Sequence, residues 1–556
     1  MKRKIALLMV IMMSLSAVLT GCAGSTQNTA PAASTAPAPA TSTTPAASTA
    51  PAPAPAASTA PAPTGEVKEL VLRATGNPFS FTPNYKADDY GWPMHQNIYN
   101  RLCKLDSTKS IPIPDLAESW EYSDDVLTLT FYLKKNAKWH DGVPVTSADV
   151  KYTFDTIKEN STFYFSPQMV IVDSIDAPDD YTVVFNLNTP DSSFVGLLGW
   201  YATFVLPKHV YDIGVTWEDN PAGTNPIGSG PYKFESHKDS ESVTLVKNPD
   251  YHDAEPIIDR IYYTIIADAA TAYQAFINGE IDALAGIPTA NVPDVQAINN
   301  IKLDFNDYPS PIRLIFNMNA DPVSNLAVRQ AIATAINRDE ISQKAYFGYN
   351  KPEYNLYTSF VEWATNDVDT CPAFSTEGAA KILEDAGYTK DAQGYYLTCT
   401  LDYFPTLSGG DDTAKLLQAQ CRAAGINLEI ISNEYQAWTL KMNERNFQIE
   451  LQGGFMGPDP AALKNRLCTG MSSNYGDYEN PVFDELIIKG ASVSDTAERA
   501  VFYKEAQKVL AEDLPYLPLV GVSTPEGYWD NFVNMPIDGA GKWGWGEYTY
   551  TDDLNK

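Results

Sequence analysis

The groups in this 556-residue chain that could bind a metal or act as acids, bases or nucleophiles are five histidines, six cysteines and 69 carboxylates. Their spacing argues against each of those chemistries. No two cysteines form a CxxC pair and no second His or Cys stands at ligand spacing from His140, so neither a structural zinc nor any other metal site is expected. His140 reads instead as a turn or core histidine bonded locally. A hydrolase would need a G-x-S-x-G elbow, an H-E-x-x-H helix or an S-x-x-K set with its companions, and none is present. The paired acids Asp124-Asp125, Asp179-Asp180 and Asp411-Asp412 sit beside turn residues and read as solvated loops rather than as the acid pair of a glycosidase. In Gly228-Ser229-Gly230 the residue that follows is Pro231, where a phosphate cradle needs Lys, so a tight turn is expected. The charge balance, 69 Asp and Glu against 39 Lys and Arg, gives −30 and argues against nucleic acid as a partner. No catalytic set is recognisable, so a secreted hydrolase is the less favoured alternative, and of the 64 Trp, Tyr and Phe residues most must be core while others would suit a cleft that grips varied side chains.

One thiol has a distinct context. Lys2, Arg3 and Lys4 precede an apolar run over 5–19 that is shorter than the ~20 residues of a membrane span and matches a secretory leader. It ends in Leu19-Thr20-Gly21-Cys22, which resembles the lipobox of bacterial lipoproteins, and this implies cleavage before Cys22 and a lipid on its sulfur. Of the 43 residues in 23–65, 39 are Ala, Pro, Ser or Thr and none is charged, so the segment cannot bury a core and reads as an extended tether. Fully extended it would reach about 130 Å. Losing residues 1–21 removes three positive charges and leaves −33, which anionic headgroups would repel, so the lipid would be the anchor. A second apolar run, 194–206, stops at Pro207 and is too short to span; it reads as a buried core element.

The body, 66–556, mixes strand and helix. Leu127, Leu129, Phe131 and Leu133 recur at period two in 126–133, as do Val183, Phe185 and Leu187 in 181–188, so both are expected as half-buried strands. Helical stripes run through Val328, Ile332 and Ile336, through 376–387 with Thr376 as cap, through 412–424 up to Gly425, and through Phe502, Ala506, Val509 and Leu510. Thr146 is expected to cap a helix whose first turn holds Asp149, and Gly142 to take a positive φ. No fixed repeat is visible, so an α/β protein of several lobes is expected.

Taken together, the blocks of this body resemble the extracytoplasmic solute-binding proteins of ABC transporters of the oligopeptide/dipeptide type, family 5. The blocks are LAESW (116–120), LKKNAKWHDG (133–142) and VTSADV (145–150), then GSGPY (228–232) with NPDY (248–251), and GEID (279–282). They continue with Phe316-Asn317, VRQA (328–331) and AINR (335–338), and with Ala386-Gly387-Tyr388, Ala424-Gly425-Ile426, Asp459-Pro460 and NPVFD (480–484). The resemblance implies a two-lobed α/β periplasmic-binding-protein fold of type II with an extra domain beside the first lobe. Lobe I is expected at 66–110, 215–306 and 511–556, the extra domain at 111–214, and lobe II at 307–510. It implies capture of a peptide, or another small solute such as a sugar or a nickel chelate, in the interlobe cleft. Delivery would be to the permease and ATPase subunits of an importer, by a lipid-anchored, extracytoplasmic monomer with no cofactor and no enzymatic activity.

Ligand residues also follow from the resemblance. It implies that Trp438 and the run Gly453, Gly454, Phe455, Met456 and Gly457 face the cleft. In peptide-binding relatives an aspartate three residues before the Asp-Pro pair holds the ligand's α-amino group; here Met456 stands in that place, so Glu450 or Asp459 takes over or the ligand lacks a free amine. For Asp459 a capping role is also expected, because Pro460 would occupy the first helical position. Cys103, Cys371, Cys399, Cys421 and Cys468 are odd in number, and a disulfide in the second lobe is left open.

Overall fold

Apolar residues at period two build three sheets, and the computed structural model describes them over residues 67–85, 90–106, 111–357, 359–366, 371–454, 456–457 and 459–530. Cys22, the tether and Phe455 lie outside the described residues. The large sheet has ten strands. Two of them are long: Ile301–Phe316 and Tyr516–Trp529 pair antiparallel from Ile301 opposite Trp529 to Ile315 opposite Tyr516. At one end this ladder continues through Ala283–Ala285, Glu69–Ala74, Arg260–Ile265, Ser242–Lys247 and Tyr232–Lys238. At the other it continues through Ile449–Gln452, Leu397–Tyr403 and Ile426–Ser432. Each half has its own buried cluster, one around Leu70, Tyr99, Leu245 and Tyr263, the other around Leu314, Ile332, Leu401 and Leu417. The two long strands are the elements common to both.

A separate four-stranded antiparallel sheet joins Ala117–Tyr122, Thr128–Leu133, Thr182–Leu187 and Val172–Asp179. Both expected strands are therefore found, and Leu129, Phe131, Val183 and Phe185 pack beneath the helix Ser147–Glu159 with Val150 and Phe154. Thr146 stands at the cap as the spacing predicted, and Asp149 bonds back to it to complete a reciprocal capping box. The run over 194–206 resolves into the short helix Phe194–Leu198 and buried turns. Helices Leu326–Ala335, Thr376–Asp385, Gly410–Ala423 and Thr496–Asp513 fall on the apolar stripes. One cap differs: Ser375, not Thr376, accepts from the Gly378 amide at 2.9 Å, because its extended backbone aims the hydroxyl at the first turn. Among the described residues no helix is long and apolar enough to cross a membrane, no group of His, Cys, Asp and Glu could hold a metal, and the five cysteines are free thiols.

The histidine and glycine turns explain each other. Gly142 takes φ 92°, the value that closes the turn after His140. A Cβ at Gly228 would lie 1.8 Å from the Ile98 carbonyl oxygen, so only glycine allows that approach. His140 then bridges: its Nδ1 accepts from the Gly228 amide at 3.2 Å and its Nε2 donates to the Gly230 carbonyl at 3.0 Å, which assigns the neutral ring. Burial lowers its pKa to about 4, the Gly230 bond opposing, Lys233 adding and Asp141 opposing. Below pH 6.5 the unfolded chain takes up a proton that the folded ring refuses until about pH 4. Stability is therefore expected to fall as pH drops from 6.5 to 4, by up to ~1.4 kcal/mol per unit for this group. His140→Gln should flatten the urea-midpoint curve in that window; an unchanged slope would contradict the assignment.

Candidate functional site

Period two sorts the second half's central strands onto two faces. Ile312, Leu314 and Phe316, with Ile449 and Leu451, pack into the cluster beneath Leu326–Ala335 and Gly410–Ala423. The alternate positions face the other way: Arg313 opposite Gln452, and Ile315 opposite Glu450 on one side and Tyr516 on the other. Ile315 and Tyr516 belong to a different buried cluster with Trp438, Met456, Leu463 and Tyr503. Against that cluster pack Leu105 and Trp200 from the chain's first half, and Trp200 also touches the first half's own core. This face is where the two halves of the chain meet.

Trp438 lies one turn into the helix Tyr435–Asn443, whose cap is the Glu434 carboxylate. Its ring stacks on Tyr435 at 5.5 Å and meets Phe404 at 4.7 Å. The indole Nε1 donates to Glu450 Oε1. Glu450 is fully buried and its Oε2 has no partner among the described residues. Burial pushes its carboxyl well above the ordinary range; the Trp438 bond opposes this, the charge of Asp402 adds to it and Lys441 opposes. Lys441 is itself held by Asp402 at 2.5 Å, so it is not free to neutralise Glu450.

After Gln452 the chain turns through Gly453 and Gly454, and the Gly454 carbonyl accepts from Arg313 Nη1 at 3.1 Å. Met456 is fully buried within the aromatic cluster. Asp459 does cap, accepting from the Ala461 amide at 2.9 Å at the start of the short turn Pro460–Ala462. The same oxygen pairs with Arg499 Nη2 at 2.6 Å. Arg499 lies over the rings of Trp363 and Tyr503. A first-half segment closes on this pair. The Ser192 amide donates to the Ala491 carbonyl at 2.8 Å, and Tyr122 donates to the Asp191 carbonyl at 3.1 Å. Burial raises the Asp191 carboxyl, its bonds to Ser193 opposing and the charge of Asp459 adding.

Of the residues singled out from sequence, Trp438 and Glu450 are thus in direct contact, Gly453 and Gly454 form the adjoining turn, Met456 is packed beside them, and Asp459 is engaged elsewhere. Arg313, Arg499 and Asp191 escaped notice. For Arg313 a signal existed, a lone charge inside the apolar strand PIRLIF; the partners of Arg499 and Asp191 are brought together only by the fold.

Comparisons with known proteins bear on this site. The family model described as bacterial extracellular solute-binding proteins, family 5, middle region, matches residues 112–473. The chain is 26% identical to the oligopeptide-binding protein AppA of Bacillus subtilis, covering 96% of this chain and 95% of that one. It is likewise 26% identical to the dipeptide-binding protein of Escherichia coli, over 86% and 94% of the two chains. Among solved structures it is similar to the ABC transporter substrate-binding protein CtaP of Listeria monocytogenes, at TM-score 0.76 and 28% identity, covering 84% and 95%.

The Asp459–Arg499 pair gives a stability test. Asp459→Ala would leave a buried guanidinium without its carboxylate, at an expected loss of about 3–5 kcal/mol by urea denaturation. Asp459→Asn with Arg499→Met should lose less than the two single changes summed; additive losses would show that the ion pair is energetically idle.

Proposed function

We propose, since the chain belongs to the bacterial extracellular solute-binding proteins of family 5, that it captures peptides between two lobes and passes them unaltered to the membrane components of an ABC importer. The lobes would be 66–110 with 215–306 and 511–556 on one side and 307–510 on the other, with 111–214 beside the first. Rotation would occur about the two long strands, the closure mode of binding proteins. The peptide reading is supported by relatives named for oligopeptide and dipeptide binding. The protein would act as a monomer without cofactor or turnover, tethered outside the cytoplasm by a lipid on Cys22.

The observation that carries the reading is the pairing of Trp438 with Glu450 on the face where the halves meet. Met456 leaves the family's amine-anchor place without a charge. Asp459 is occupied by Arg499 and by its cap, whereas Glu450 keeps an unpartnered oxygen, which supports Glu450 as the group that receives the ligand's ammonium. A Glu450 carboxyl held neutral by burial must lose its proton to pair with an ammonium. Binding is therefore expected to release a proton, and affinity to rise with pH through the carboxyl's raised pKa until the ligand amine itself deprotonates.

Calorimetry with matched peptides bearing free and acetylated N-termini tests this. Acetylation is expected to weaken binding about 10- to 100-fold, the range of a charge-assisted hydrogen bond. Glu450→Gln should erase both that difference and the pH dependence, while each bound peptide is recovered intact. A large acetylation loss that survives Glu450→Gln would sink the anchor, and no peptide binding at all would favour a sugar, chelate or other solute. The address is tested separately: the full chain made with its own leader should partition into detergent, and Cys22→Ser should abolish that partition. Identical fractionation would remove the lipid from the proposal.

A further inference from the structure

We infer, building on the peptide reading above, that Arg313 is a specificity residue that pairs with a carboxylate of the ligand. The residue is a buried charge in an otherwise apolar strand. Its neighbours Ile312, Leu314, Ile315 and Phe316 are buried apolar side chains, and Arg313 itself is 1% exposed. Its hydrogen bonds all go to neutral acceptors: Nη1 to the Pro311 carbonyl at 3.1 Å and the Gly454 carbonyl at 3.1 Å, Nη2 to Gln452 Oε1 at 2.6 Å. Nε has no partner, and among the described residues no carboxylate lies within ion-pair distance. The other charge felt at the guanidinium is of like sign. Burial pushes its pKa from 12.5 down to about 9, Arg466 pushes it further the same way, and only Tyr516, over whose ring it lies at 5.8 Å, opposes.

A neutral amide, with its two N–H donors, would serve two of these three oxygens, the Gly454 carbonyl among them. Holding the Gly454 turn therefore accounts for the side chain's reach but not for its charge, and an uncompensated buried cation disfavours the folded state. A carboxylate arriving at the free Nε edge would receive charge-assisted, directional bonds that a planar guanidinium is shaped to give. Other buried arginines resemble it in part: Arg101 and Arg338 lie over aromatic rings, as Arg313 lies over Tyr516, and Arg329 bonds only backbone carbonyls. Arg313 differs in its company. Through the pairs Arg313–Gln452 and Ile315–Glu450 it is the diagonal neighbour of Glu450 on the face where the halves meet, so one sheet face offers an acid and a base to a zwitterion.

The carboxylate could be the ligand's C-terminus or an acidic side chain, and three probes separate these. They are a tetrapeptide mixture of non-acidic residues with free C-termini, the same mixture amidated, and an amidated mixture with one Glu in each peptide. Each is titrated calorimetrically against the whole chain and its Arg313→Gln and Arg313→Lys variants, Lys serving also if Gln fails to fold. The wild type is expected to bind a carboxylate-bearing mixture at least ~10-fold tighter than the neutral amide. Preference for the first mixture identifies the C-terminus as the source and preference for the third the side chain. Arg313→Gln should erase the preference and Arg313→Lys keep part of it. Equal binding of all three mixtures by the wild type, or a preference that persists in Arg313→Gln, overturns the inference. If no mixture binds, the peptide reading fails by itself and citrate at constant ionic strength decides. Citrate raising the wild-type Tm but not that of Arg313→Gln upholds an anion site at Arg313, and equal shifts reject it.

Discussion

The ladder between Ile301–Phe316 and Tyr516–Trp529 is the constraint on which the rest of the molecule depends. It is shared by both halves of the ten-stranded sheet, so each half's geometry is referred to the same pair of strands. Its register also decides which side chains face the other half. A slip of one residue would turn Arg313 and Ile315 into the core beneath the helices and expose Ile312, Leu314 and Phe316 on the opposite face. The apolar burial on the core side holds the register, and the polar residues on the other side are carried into place by it. The ladder is irregular between Tyr308 and Pro311 and between Ile312 and Arg313, and such irregularities bend strands locally. The bend thus falls immediately before the residues that present the site.

That site is built from polar groups kept under tension. Glu450 and Asp191 are carboxyls whose burial favours the protonated form, and Arg313 is a cation whose burial favours its loss. Each is tolerated because large apolar clusters on both sides stabilise the surrounding strands. Asp459 and Arg499 show the contrasting solution, a buried pair that is fully compensated. Compensated groups fix structure, whereas uncompensated ones keep interaction free energy in reserve for whatever enters. The difference between Asp459 and Glu450, only nine residues apart in sequence, is of this kind.

Much of the fold was legible because it obeys short-range rules. Period two in 126–133 and 181–188 found strands, the spacing of Thr146 and Asp149 found a helix cap, and the Gly142 turn was anticipated from the need for a positive φ. The Ser375 cap was missed because Ser and Thr stand side by side and only the backbone conformation decides which hydroxyl reaches the first turn. For the proposed site, the resemblance implied Trp438, while Glu450 and Asp459 stood as alternative substitutes for the missing amine anchor, with a cap also expected of Asp459. What separates them is Arg499, forty residues away in sequence and brought in by packing of the helix Thr496–Asp513. Arg313 was overlooked for a related reason. Its charge is evident in the sequence, but its lack of a counter-charge is a property of three dimensions.

The chain's overall charge sharpens the meaning of that isolated cation. At −30 the protein repels anionic solutes at long range, although salt screens exposed charges beyond about 8 Å under physiological conditions. Attraction for a carboxylate therefore cannot come from the surface field and has to arise at contact, where low dielectric leaves a guanidinium unscreened. A buried arginine does this, and a surface one would not. The same logic applies in the opposite sense to Glu450, where burial inside an already acidic protein favours the neutral carboxyl. The outer field would set only which solutes approach, and in the proposed site the paired faces of two strands would set which of them are held.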